Sequence, residues 1–89
     1  MSDEDELWPV IPSETVADAL ADPALPAVLF SRIVALTVDI SEDPWLENSR
    51  PAAQGGPWRT LPIPGGGGIV EYRVDVERHQ VVLTRIFPF

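Results

Sequence analysis

The sequence predicts an α+β fold: two N-terminal helices packed on a three- to four-stranded antiparallel sheet. Three observations predict it. Leu29, Ile33, Leu36 and Ile40 follow one another at steps of four, three and four, the spacing of a helix buried along one face. Residues 69–76 alternate, with Val70, Tyr72, Val74 and Val76 on one side and Glu71, Arg73 and Asp75 on the other, as a half-buried strand requires. The helical patterns precede most of the strand patterns, and helices laid across one face of an antiparallel meander bury both apolar surfaces in the simplest way.

Each element has its own local warrant. Residues 1–6 are expected to form a disordered, solvated acidic tail. Residues 7–11 alternate weakly and contain Pro9, which suits a short edge strand because proline is tolerated there and hardly elsewhere in a sheet. Ser13 is an N-cap residue with Glu14 in the first turn, and Val16, Ala19 and Leu20 then fall at helical spacing. The Asp22-Pro23 step stops that helix, because a residue before proline is pushed out of the α region. Pro26 suits the first turn of the second helix, whose stripe is flanked by Phe30, Val34 and Thr37 and which Asp43-Pro44 ends. Residues 44–57 are rich in proline and glycine and read as a long loop. Residues 58–63 read as a strand, Gly65 to Gly68 as a flexible connection, 69–76 as the central strand, Glu77 to Gln80 as a turn and 81–87 as the last strand.

Composition narrows the function. Eighty-nine residues suffice for one core, and 45% hydrophobic residues are enough to pack it, so residues 7–89 are expected to form a single domain. The absence of cysteine excludes a disulfide scaffold and a thiolate zinc site. Fourteen carboxylates face six arginines and no lysine, for a net charge of −8. Such an acidic surface repels phosphate backbones and argues against nucleic acid as a partner. No run of apolar residues is long enough to span a membrane, and the acidic N-terminus is unlike a signal peptide, so the expected location is cytoplasmic. No metal and no cofactor is expected.

No cluster of residues spells out a reaction. His79 is the sole histidine, stands in a predicted turn and has no partner at catalytic or metal-ligand spacing, so an exposed turn residue is expected. The glycine run precedes a strand rather than a helix and has no lysine beside it, which fits a hairpin connection and not a phosphate loop. Glu42, Asp43 and Glu47 read as a solvated helix terminus. Trp8, Trp45 and Trp58 suit core-edge packing, with Trp45 in the long loop placed for an interface. Arg59, Arg73 and Arg85 lie on three consecutive predicted strands. Either they converge on one face to hold an anion, or they pair across strands with Glu71 and Asp75.

Several short stretches carry a resemblance: the helix end from Ile40 to Pro44, the run Trp58 to Ile63, the strand Gly68 to Val76 with its Tyr72-Arg73-Val74, and the closing Val81 to Ile86. In these stretches and in element order, most of residues 7–87 resembles the RelE/ParE toxin superfamily of bacterial type II toxin–antitoxin systems. The resemblance implies a small folded toxin neutralised by a cognate antitoxin, a partly disordered protein that wraps around it. Some members cleave mRNA on the ribosome and others poison DNA gyrase. The pattern departs from the ribonucleases of the family. Gly68 and Ile69 stand where their central strand carries Tyr and Arg; Tyr72 matches, and Arg59 corresponds to a basic residue on the preceding strand. The basic group after the last strand would fall at Pro88, Phe89 or beyond. Cleaving RNA on this scaffold requires cations that hold phosphates and stabilise a dianionic transition state. The expectation is therefore a toxin-like protein that acts by binding a cellular protein rather than by cutting RNA, with Tyr72, Arg73, Arg85 and Trp45 as binding residues. Arg59, Arg73 and Arg85 are the residues a ribonuclease would use. The alternative is a small non-toxic interaction or regulatory protein.

Overall fold

The computed structural model describes residues 7–88, with the side chain of Pro88 left aside; the acidic tail expected at 1–6 lies outside them. The elements run β1 (Val10–Pro12), α1 (Glu14–Ala21), α2 (Ala27–Glu42), β2 (Arg50–Pro51), β3 (Trp58–Pro62), β4 (Gly68–Asp75) and β5 (Gln80–Pro88). The five strands form one sheet in the order β1-β5-β4-β3-β2. The class is α+β as expected, but the sheet is mixed and larger than the three- to four-stranded antiparallel one. The first strand pairs parallel to β5, with Val10 opposite Val81 and Pro12 opposite Leu83. A fifth strand, β2, lies inside the stretch read as loop and pairs antiparallel with β3 through Arg50–Thr60 and Pro51–Arg59. Two residues carry no period, so such a strand leaves no pattern in the sequence.

Both helices begin and end where their local chemistry dictates. The Ser13 hydroxyl accepts the Val16 amide at 3.2 Å and caps α1. It also donates to the Thr84 carbonyl, tying the start of α1 to β5. Asp22 and Asp43 are the C-caps, both extended, as the prolines that follow them demand. Ile33, Leu36 and Ile40 of α2 and Val16 of α1 are buried against Leu61, Ile63, Val70, Tyr72, Val74, Val81 and Leu83 in one apolar cluster. Leu29 packs at its edge. Phe30 and Val34, expected beside the buried stripe, are exposed, because at 3.6 residues per turn they stand roughly 90° and 130° round α2 from the line of Leu29, Ile33, Leu36 and Ile40.

The central strand is half-buried as its alternation requires, with Val70, Tyr72 and Val74 in the core; Val76 lies beyond its end and is exposed. On β5 the alternation is broken. Glu71 pairs with Arg85 while Tyr72 pairs with Leu83, which leaves Thr84 as a bulge. The break returns Ile86 to the core side of the sheet, opposite Val70. The glycine connection is a tight turn rather than slack chain. Gly67 has φ +105°, and a Cβ there would stand 2.9 Å from the Leu29 methyl group, so only glycine lets the turn lie against α2.

Candidate functional site

The helices cover one face of the sheet and leave the other open. Register decides what the open face carries. Trp58, Arg73, Val82 and Ile11 stand in one row across it; Arg50, Thr60, Glu71 and Arg85 in a second; Pro62, Ile69 and Phe87 in a third. The row of Arg50, Thr60, Glu71 and Arg85 is the polar one, with a carboxylate between its two terminal arginines. Glu71 is only 8% exposed although it faces away from the helices. Its Oε1 accepts from the hydroxyl of the bulge residue Thr84 at 2.9 Å, and its Oε2 accepts from Gln54 Nε2 at 3.3 Å. The same hydroxyl stands 3.1 Å from the Glu71 carbonyl, so its single proton is shared between the two acceptors. The bulge thus places a hydroxyl where it can hold both the backbone and the acid of one residue.

The three arginines do not converge. Arg73 and Arg85 are on the open face, but Arg59 pairs with Tyr72 and points to the helix side. There its Nε donates to the Ser49 hydroxyl at 2.9 Å and its guanidinium to the Ser49 carbonyl at 3.2 Å. Ser49 in turn donates to the Leu46 carbonyl at 2.6 Å. Arg59 is thereby occupied in holding the 44–52 segment to β3. Arg73 lies 4.0 Å from Asp75 on its own strand, a looser contact than the cross-strand pairing expected, and it makes none with Glu71. Arg85 and Arg50, at the two ends of the polar row, are exposed and make no ion pair among the described residues.

Tyr72 is 0% exposed, so its side chain offers no contact surface to a partner. Its hydroxyl donates to the Pro44 carbonyl at 2.6 Å. Burial pushes its phenol above the ordinary tyrosine range, against the opposing pull of Ser49 and Arg59. Trp45, one residue beyond that anchor, is exposed and meets Trp8 edge-on at 5.2 Å between ring centroids. His79 extends the aromatic group. It occupies the turn as expected, at φ 53°, but its ring is stacked on Trp8 at 4.0 Å rather than standing free. Its Nε2 is buried without a partner. Trp8, Trp45 and His79 form a surface aromatic cluster where the start of the chain, the loop after α2 and the β4–β5 turn meet.

The described residues contain no group of three or more His, Cys, Asp or Glu placed to hold a metal ion, and no helix long and apolar enough to cross a membrane. Sequence reasoning missed the buried state of Glu71, for which nothing in the strand pattern distinguishes it from Arg73. It also missed the bulge, although a signal was present: Val81, Leu83 and Ile86 share a face only if one residue is skipped.

This topology has solved counterparts. The isolated RelE toxin of E. coli superposes with a TM-score of 0.76 over 91% of this chain and 83% of its own, at 14% identity. A chain of the E. coli RelBE toxin–antitoxin complex gives 0.77 over 92% and 96%, at 13% identity. This is a RelE-like fold. A chain of the RelBE2 toxin–antitoxin complex of Mycobacterium tuberculosis agrees at 0.74, with 22% identity over 93% of this chain and 99% of that one. No protein-family model and no curated protein matches the sequence. The RelE-like architecture is therefore carried here by a sequence only 13–22% identical to those of the matched chains.

Proposed function

We propose that this RelE-like chain is the toxin-type component of a type II toxin–antitoxin pair, that a cognate antitoxin binds it, and that it acts by binding a cellular protein rather than by cutting RNA. The fold likeness supports the first part, and two of the similar structures are toxin–antitoxin complexes. The observation that carries the last part is the open face of the sheet. A surface that cleaves RNA must attract phosphates and stabilise added negative charge in the transition state. Here the middle of that surface is Ile69 beside the buried carboxylate of Glu71. Of the arginines in question, Arg59 is bound to Ser49 on the other side and Arg73 leans on Asp75, which leaves Arg85 and, at the other end of the same row, Arg50 without an ion pair among the described residues. Two separated arginines with a buried carboxylate between them, on a chain of net charge −8, offer a polyanion no concentrated positive site.

Inducible expression with and without the adjacent open reading frame tests the proposal. Growth arrest from this chain alone, relieved by the neighbour, is the expected result. Absence of arrest would overturn the toxin reading and favour a non-toxic interaction protein.

A further inference from the structure

The outer flank of α2 is apolar and uncovered. Phe30, Val34 and Val38 follow at steps of four, so they form one ridge along the helix, and they are 42%, 44% and 54% exposed. The ridge runs about 12 Å, eight residues at helical rise. Its C-terminal end opens into a groove of about 290 Å³ lined by Leu7, Val10, Thr37, Val38, Ser41 and Glu42. The electrostatics at that end are one-sided. Asp39 and Glu42 lie in the last turn and Asp43 is the C-cap, while the last turn has no basic residue. The partial negative charge of a helix C-terminus adds to these carboxylates. None of the three forms an ion pair among the described residues. The one cation of α2, Arg32, reaches the Gly65 carbonyl at 3.4 Å, beside the glycine turn and away from the ridge.

An apolar ridge that leads into an uncompensated negative end has a definite complement. We infer that the Phe30–Val34–Val38 ridge and its groove are the docking surface for an amphipathic helix of the antitoxin, oriented so that a lysine- or arginine-bearing end sits over Glu42 at the C-terminus of α2. The inference rests on the toxin–antitoxin reading and adds to it the face used, the secondary structure taken and the polarity of the bound segment. A second copy of this chain is a poor occupant, because two chains of net charge −8 with the same acidic helix end repel each other. A purely apolar segment would leave the carboxylates at the groove desolvated and unmatched.

Titration calorimetry of the purified chain with the product of the adjacent open reading frame tests this. Val34→Asp and Val38→Asp place a carboxylate on the ridge at exposed positions. Each is expected to weaken binding by about thirtyfold, the loss of a central apolar anchor, with the circular dichroism spectrum unchanged. Glu42→Gln is expected to weaken binding about fivefold at low salt and to flatten its salt dependence. Val28→Asp, at an exposed position off the ridge near the N-terminal end of α2, is expected to bind like wild type. Wild-type binding with Val34→Asp and Val38→Asp within twofold of it would overturn the docking surface and leave the toxin–antitoxin reading intact. Failure of the wild-type chain to bind the neighbour's product would overturn both.

Discussion

Replacing Tyr72 with phenylalanine isolates the link that ties the loop after α2 to the centre of the sheet. The substitution removes one oxygen atom, from a side chain that is 0% exposed, and with it a 2.6 Å hydrogen bond to the Pro44 carbonyl. Pro44 is itself fully buried, so its carbonyl loses a partner that water does not replace. Leaving a buried acceptor unsatisfied costs about 1–3 kcal/mol, and a value near 2 is expected here because the ring and its packing remain. For 89 residues, at an unfolding entropy of about 2 cal/mol/K per residue, that lowers Tm by roughly 10 °C. The pH dependence is cleaner still. The chain has no lysine, no cysteine and a single tyrosine, so between about pH 9 and 11 Tyr72 is the one side chain that titrates. Burial raises its pKa in the folded state. The unfolded chain then releases a proton near pH 10 that the native chain keeps. Fewer protons are bound in the unfolded state, and stability falls as pH rises through that region. The stabilisation is fully present below pH ~10 and is lost above it, at a limiting slope of about 1.4 kcal/mol per pH unit. Urea unfolding followed by tryptophan fluorescence, at pH 7 and in steps from pH 9 to 11, measures both effects. Tyr72→Phe should be weaker at pH 7 and flat in the alkaline arm. A loss below about 0.5 kcal/mol, or an alkaline arm as steep as wild type, would refute the placement of the hydroxyl.

Other substitutions separate structural from surface residues. Arg59→Ala removes two hydrogen bonds to Ser49 and should cost about 2 kcal/mol by urea denaturation, whereas Arg85→Ala, which breaks no ion pair, should stay within about 0.5 kcal/mol. Equal costs would contradict the division of the arginines between the two sides of the sheet. Ser13→Ala strips the cap of α1 and its tie to Thr84 and should lower stability by about 1 kcal/mol, seen as a lower urea midpoint with an unchanged slope. Gly67→Ala combines a φ of +105° with a 2.9 Å approach to Leu29 and should cost more than 1 kcal/mol; a neutral result would mean that the turn does not lie against α2.

The parts of the fold that repeat with a period were legible in the sequence. The cap at Ser13, the buried side of α2 and the inward set Val70, Tyr72 and Val74 all follow from spacing and local chemistry. What escaped is what has no period. Pairing direction is set by where the chain returns, so the parallel partnership of Val10 with Val81 leaves no trace in the residues around Val10. The bulge at Thr84 changes the parity of one strand and thereby chooses which side Arg85 occupies. The side of the sheet each arginine takes is likewise set by register and not by local sequence. Arg59 and Arg73 sit on adjacent strands and look equivalent, yet register turns one toward Ser49 and the other outward. Tyr72 was singled out by its place in a family pattern, and that place is in the core. The exposed flank of α2 was not legible: Phe30 and Val34 read as the margin of the buried stripe, and only the packing leaves them exposed together with Val38.

The most direct measurement of the central claim is the mapping of mRNA 5′ ends in cells arrested by induced expression of this chain. With Glu71 and Ile69 at the middle of the open face, arrest is expected with no new ends inside translated reading frames. Arrest accompanied by such ends, abolished by Arg85→Ala, would contradict it.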